Sequence, residues 1–126
     1  MKLNHDCVRD LLLFIEENVT YGTYALANSI ELPGYTQDEI VYAAEKLAQA
    51  DYLDAEVSRF LDRGTPDVHI TSITWEGHKF LDNIRDDGVW KQTKGVLSKL
   101  SSASLSIASN VAAQVISNLV KTQMGL

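Results

Sequence analysis

Apolar residues recur along the chain first at helical spacing, then in alternation, then at helical spacing again. Val8, Leu11, Leu12, Ile15 and Val19 predict a first helix capped by Asn4 or Asp6, with Arg9, Glu16 and Glu17 facing out. Residues 20–35 lose that period and carry Gly22, Pro33 and Gly34, which predicts a short strand or irregular arm around Tyr24 to Ile30. A second helix follows over residues 36–53, opened by a capping box from Thr36 to Glu39 and turning Ile40, Ala44, Leu47 and Leu53 inward. Its outward set is Gln37, Asp38, Val41, Tyr42, Glu45 and Gln49, with Lys46 as the base among them.

Residues 53–61 then alternate, Leu53, Ala55 and Val57 against Asp54, Glu56 and Ser58, as a half-buried strand does. After the turn DRGTPD, Val68 and Ile70 resume the alternation, so the two runs predict a hairpin. The phase changes near Ser72, which places Ile73 and Trp75 inward at the entry to a third helix. Thr74 caps that helix, Glu76 lies near its positive end, and Leu81 and Ile84 continue the inward stripe. Gly77 falls on the stripe. A helical glycine costs roughly 1 kcal/mol against alanine, so its presence points to close approach of another backbone.

After the break Asp86-Asp87-Gly88, the pattern predicts one long helical run from Val89 to Lys121. Leu97, Leu100, Ile107, Val111, Val115 and Leu119 form its apolar seam, with the small residues Ser104, Ala108 and Ala112 beside it. The seam calls for a partner, either the first helix or a second copy of the chain. The serine-rich patch SSASLSIAS reads as a small-residue helix surface within the run.

Helix, arm, helix, hairpin, helix is the winged-helix order, with the hairpin as wing and the helix before it as recognition helix. The expected fold is therefore α+β and mostly α: a winged-helix domain with a two-stranded wing over residues 1–86, then a long C-terminal helical extension over 87–126 for packing or oligomerisation. The segments LNHDCVRDLLLFIEEN, IVYAAEKLAQADYLDA, SITWEGHKFLDNIRDDGVWKQTK and SNVAAQVISNLV resemble an uncharacterised winged-helix family of phages, prophages and other mobile elements of Gram-positive bacteria. ITWEGHKFLDNIRDDGVWKQTK is the most specific block. The resemblance implies the fold and a mobile-element origin, and brings no activity, cofactor or catalytic residue.

Charge narrows the functional classes. The formal net charge is −6, but residues 1–78 hold 14 acids against 5 bases, whereas residues 79–126 hold 3 acids against 6 bases. An acidic chain is poorly suited to coating nucleic acid, where affinity comes mostly from Lys and Arg on phosphates. The single cysteine, Cys7, cannot close an internal disulfide and suits a reducing, cytoplasmic setting in a bacterial host cell. The start MKLNHDCVRD lacks the apolar core of an export signal. Residues 100–120 are uncharged between Lys99 and Lys121, yet three amides and six serines dilute them below what a membrane span requires.

His5, His69 and His78 lie far apart and no CxxC or HxxxH spacing gathers ligands, so neither a metal site nor a cofactor is expected. With no nucleophile motif, phosphate loop or carboxylate pair, the expectation is a protein without catalysis. Two classes follow. In the first, an acidic binding module engages a host or phage protein through Asp38, Tyr42, Glu45 and Gln49, inhibiting a host nucleic-acid-binding or defence protein. In the second, a regulator that dimerises through its last helix contacts DNA with Gln37, Lys46, Arg59 and Arg63.

Overall fold

The computed structural model describes all 126 residues and is an α+β fold, mostly helical. Its elements are α1 (His5–Asn18), β1 (Ala25–Leu26) followed by a 3-10 turn (Ala27–Ser29), α2 (Gln37–Gln49), β2 (Leu53–Ser58), β3 (Asp67–Ile73), α3 (Trp75–Ile84), α4 (Asp87–Leu97) and α5 (Leu105–Met124). The chain forms two compact units, Met1–His78 and Lys79–Leu126, divided inside α3.

In the first unit, α1 is capped by Asn4, whose Oδ1 accepts from the Cys7 amide, and it buries Cys7, Val8, Leu11, Leu12 and Ile15. That stripe packs against α2, which buries Ile40, Ala43, Ala44 and Leu47. The capping box at Thr36 is complete: the Glu39 amide donates to the Thr36 hydroxyl, and the Thr36 amide donates to the Glu39 carboxylate. The Asn4 amide also donates to Glu39 at 3.0 Å, so the caps of α1 and α2 are joined.

Helix α2 stops at Gln49, short of the expected residue 53, because Asp51 adopts a left-handed conformation with φ 62°. The Asp51 and Tyr52 amides then donate to the Ala48 and Leu47 carbonyls, closing the helix end in the Schellman pattern. Leu53 belongs to β2 and is buried there.

Strands β2 and β3 pair antiparallel, as the alternation predicts, from Leu53 opposite Ile73 to Ser58 opposite Asp67. β2 ends at Ser58 rather than Leu61. Phe60 and Leu61 are exposed on the connection to β3, and Leu61 has no protein surface to pack on. The sheet also holds a third strand beyond the two expected, since β1 joins the other edge of β3 in the order β1-β3-β2. The change of phase near Ser72 is a bulge. Asp54 faces Ser72 and Ala55 faces Ile70, leaving Thr71 as the extra residue, whose hydroxyl donates to the Asp54 carbonyl.

The entry to α3 is locked to the end of α2. The Thr74 amide donates to the Tyr52 carbonyl, its hydroxyl donates to the Asp51 carbonyl, and that same hydroxyl accepts from the Gly77 amide. A Cβ on Gly77 would lie 2.0 Å from the Tyr52 carbonyl oxygen, which is the close backbone approach its position implied. Trp75 is 77% exposed, not inward: the bulge brings Ile73 opposite the buried Leu53, but α3 begins at Trp75, so the strand's alternation no longer sets its direction.

In the second unit the long run expected from Val89 to Lys121 is two helices that pack on each other. The serine-rich patch breaks it: residues 98–104 leave the helix, and the Ser104 hydroxyl accepts from the Ile107 amide to cap α5. Serine competes for backbone groups and favours caps over helix interiors. Asp86 caps α4, and Val89, Trp90 and Thr93 are its buried face. On α5 the buried residues are Ala108 and Ala112, while the expected seam is only half covered, with Ile107 and Leu119 42% and 43% exposed. Small residues let helix backbones approach, so they, not the large side chains beside them, take the contact. Asn83 of α3 donates to the Ser109 hydroxyl within the same unit.

Candidate interaction cleft between helix α2 and the hairpin

Three backbone segments shape a cleft of about 280 Å³ lined by Asp38, Val41, Tyr42 and Glu45 of α2 and by Arg59, Gly64, Thr65 and Pro66 of the hairpin connection, with Met1 at its margin. Its walls are held by side chains outside it. The Gln37 amide nitrogen lies within 2.6–3.2 Å of the Ala27, Asn28 and Ile30 carbonyls, fixing the 3-10 turn to the start of α2. Asn28 in that turn donates to the Pro66 carbonyl and accepts from the Val68 amide, bracing the start of β3.

Of the four residues expected to meet a protein partner, Asp38, Tyr42 and Glu45 converge on the cleft. Asp38 is exposed and Tyr42 half-buried. Glu45, expected to face solvent, is only 7% exposed, as is its outward-read neighbour Val41 at 3%. The hairpin connection folds over this part of α2, a contact between distant segments that helical periodicity cannot register. Glu45 accepts from Arg59 at 2.5 Å and lies 3.7 Å from Lys46. Gln49 lies on the exposed side and accepts from Lys46 at 3.1 Å.

The residues expected to contact DNA are engaged within the protein. Gln37 is spent on the three carbonyls. Lys46 lies 5.1 Å from the centre of the Tyr42 ring and donates to Gln49. Arg59 is paired with Glu45; Arg63 is paired with Asp67 at 2.8 Å and stacks over Phe60 at 4.2 Å. Each cation on this face thus sits against an acid, an amide oxygen or an aromatic ring, which lowers the positive field available to a phosphate backbone. The six seam residues do not form one surface: Leu97 ends α4, Leu100 is exposed in the connection, and Ile107, Val111, Val115 and Leu119 lie on α5.

Sequence reasoning missed Gly64, Thr65, Pro66 and Met1 as cleft residues, and nothing in their local pattern signals it. The same holds for Asn28, whose partners at Pro66 and Val68 lie 38 and 40 residues away, beyond any local turn signal.

Outside the cleft, His69 stacks beside Tyr24 with ring centres 4.9 Å apart, and His78 lies 3.9 Å from Glu16. No group of three or more His, Cys, Asp or Glu side chains is placed to hold a metal ion. Burial, with Glu39 and Asp10 nearby, pushes the Cys7 thiol up to about 11, and burial with a 2.8 Å bond to Asp10 raises the Tyr35 hydroxyl further. Hydrogen bonds from the Thr36 backbone, then from Asn4, lower Glu39. No helix is long and apolar enough to cross a membrane.

Residues 2–104 match the family model described as Hypothetical protein (DUF2513). The chain belongs to that family. It is also similar to an uncharacterised protein of Haemophilus influenzae, 29% identical over 121 residues that cover 95% of this chain and 99% of that protein. No solved structure matches the chain.

Proposed function

We propose that this member of the family is a non-catalytic winged-helix binding protein that engages a basic protein surface through the cleft between α2 and the hairpin. The order α1, β1, α2, β2, β3 supports the winged-helix reading, with α2 in the place of the recognition helix and β2–β3 as the wing. The observation that carries the functional reading is the pairing of Arg59 with Glu45, which neutralises the wing's cation at the cleft, as Asp67 does Arg63 beside it, and leaves Asp38 and Tyr42 at the accessible part of the cleft. The excess of acids in residues 1–78 would steer a positively charged partner toward this unit. Tyr42 supplies the aromatic anchor, of the kind enriched at interfaces. A mobile-element protein with such a surface would act by occupying the basic groove of a host nucleic-acid-binding or defence protein.

The test is capture of a basic host protein by the wild-type chain and its loss on Asp38→Lys with Tyr42→Ala. Asp38 is exposed and Tyr42 half-buried, so circular dichroism checks the fold of the variant, and a folded variant that still captures the same protein rejects the reading. The winged-helix order favours a second reading, a DNA-binding regulator that pairs through its C-terminal helices. A mobility shift at low salt, lost on Arg63→Ala, would put that reading in place of the first.

A further inference from the structure

We infer that the junction of α4 and α5 is a docking surface for anionic lipid, holding the protein at a membrane face without crossing it. All 17 acidic side chains of the chain lie in residues 1–87; residues 88–126 carry Lys91, Lys94, Lys99 and Lys121 and no acid. Three of these lysines are on or just after α4, on the stretch that leads into the connection to α5. Lys91 and Lys99 are exposed. The nearest acids in sequence, Asp86 at the cap of α4 and Asp87 in its first turn, lie at the opposite end of the helix from Lys94 and Lys99, so charge is polarised along it.

The same end of the helix pair leaves aliphatic side chains in water: Val96 and Leu100 are each 47% exposed, and Ile107 in the first turn of α5 is 42% exposed. Val96 and Leu100 are four residues apart, and the amides of Ser98, Lys99 and Leu100 continue the helical turn past the end of α4, so both stay on one side of it. Lysines around exposed aliphatic residues suit an interface where ammonium groups meet lipid phosphates and the side chains enter the headgroup boundary. The composition separates this occupant from nucleic acid. The patch has no arginine, and its one nearby aromatic, Trp90, is buried, so it lacks the forks and stacking rings that read nucleic acid.

Co-sedimentation of the full chain with vesicles of equal parts phosphatidylglycerol and phosphatidylcholine, against vesicles of phosphatidylcholine alone, tests the inference. The chain should sediment with the anionic vesicles only and be released by salt. Lys91→Gln with Lys99→Gln should lower the partition constant about 30-fold, and Val96→Ser with Leu100→Ser about tenfold or more. All four positions are exposed, and circular dichroism of each variant confirms its fold. No sedimentation with anionic vesicles at low salt overturns the inference, as does binding unchanged by both variants. So does retention of duplex DNA through the same lysines without vesicle binding, or a dimer that hides Val96 and Leu100 and leaves vesicles unbound. Because the cleft residues are untouched in these variants, failure here is distinct from failure of the protein-binding reading.

Discussion

The Glu45 carboxylate and the Arg59 guanidinium, fourteen residues apart, meet at 2.5 Å across the cleft between α2 and the hairpin. Glu45 is nearly buried while the Arg59 side chain is 62% exposed, so the hairpin connection lies over the acid and the base closes it from outside. This pair links the acidic face and the wing, which the sequence presents as separate candidate surfaces.

Removing the base alone should therefore cost more than a surface ion pair does. Arg59→Ala leaves the nearly buried carboxylate with only the longer 3.7 Å contact to Lys46 and should destabilise by about 1–2 kcal/mol, discounted from the fully buried case because Arg59 faces solvent. Adding Glu45→Gln to it should recover part of the loss. Denaturant unfolding of the two single variants and the double variant gives the coupling, and purely additive losses would show that the pair does not hold the cleft.

Gly77→Ala should destabilise by at least about 2 kcal/mol. The new methyl group meets the Tyr52 carbonyl oxygen, which Thr74 already holds, and overpacking outweighs the roughly 1 kcal/mol gained in helix propensity. The thermal midpoint reads this directly. A variant as stable as the wild type would mean that the turn at Asp51 and Tyr52 moves freely.

Stability should fall at both ends of the pH range, for opposite reasons. Glu39 is lowered by its bonds from Thr36 and Asn4, so its contribution is present above the ordinary value of 4.5 and is lost as pH falls through the folded value. Cys7 is raised, so its contribution is present below the ordinary value of 9.0 and is lost as pH rises toward about 11. Asn4→Ala should flatten the acid limb, and Cys7→Ala the alkaline one. In the native protein Cys7 should react with a thiol reagent only after unfolding, because it is buried as well as protonated at neutral pH.

On α5 the small residues should matter more than the large ones. Ala112→Leu has no room at a fully buried position and should cost about 1–3 kcal/mol, whereas Leu119→Ser at a position 43% exposed should change monomer stability by roughly 0.5 kcal/mol or less. Unfolding midpoints compare the two. The reverse order would mean that the large residues carry the packing.

The sequence by itself determined the local events. The helices α1 and α2, the Thr36 capping box, the alternation that pairs β2 with β3, the change of phase that proved to be the Thr71 bulge, and the demand for a close backbone at Gly77 are all written in spacing and in residue types with one strong conformational preference. Tertiary structure decided what depends on distant segments. Whether Glu45 faces water depends on a hairpin connection that returns over α2, and whether Gln37 is available depends on three carbonyls seven to ten residues away. The break of the C-terminal run is an intermediate case. Serines at 98–104 are compatible with a helix surface or with a cap, and the packing of α5 back on α4, with Ala108 and Ala112 buried, goes with their use as a break and a cap. Periodicity reports which residues seek burial; the chain's return path determines what covers them.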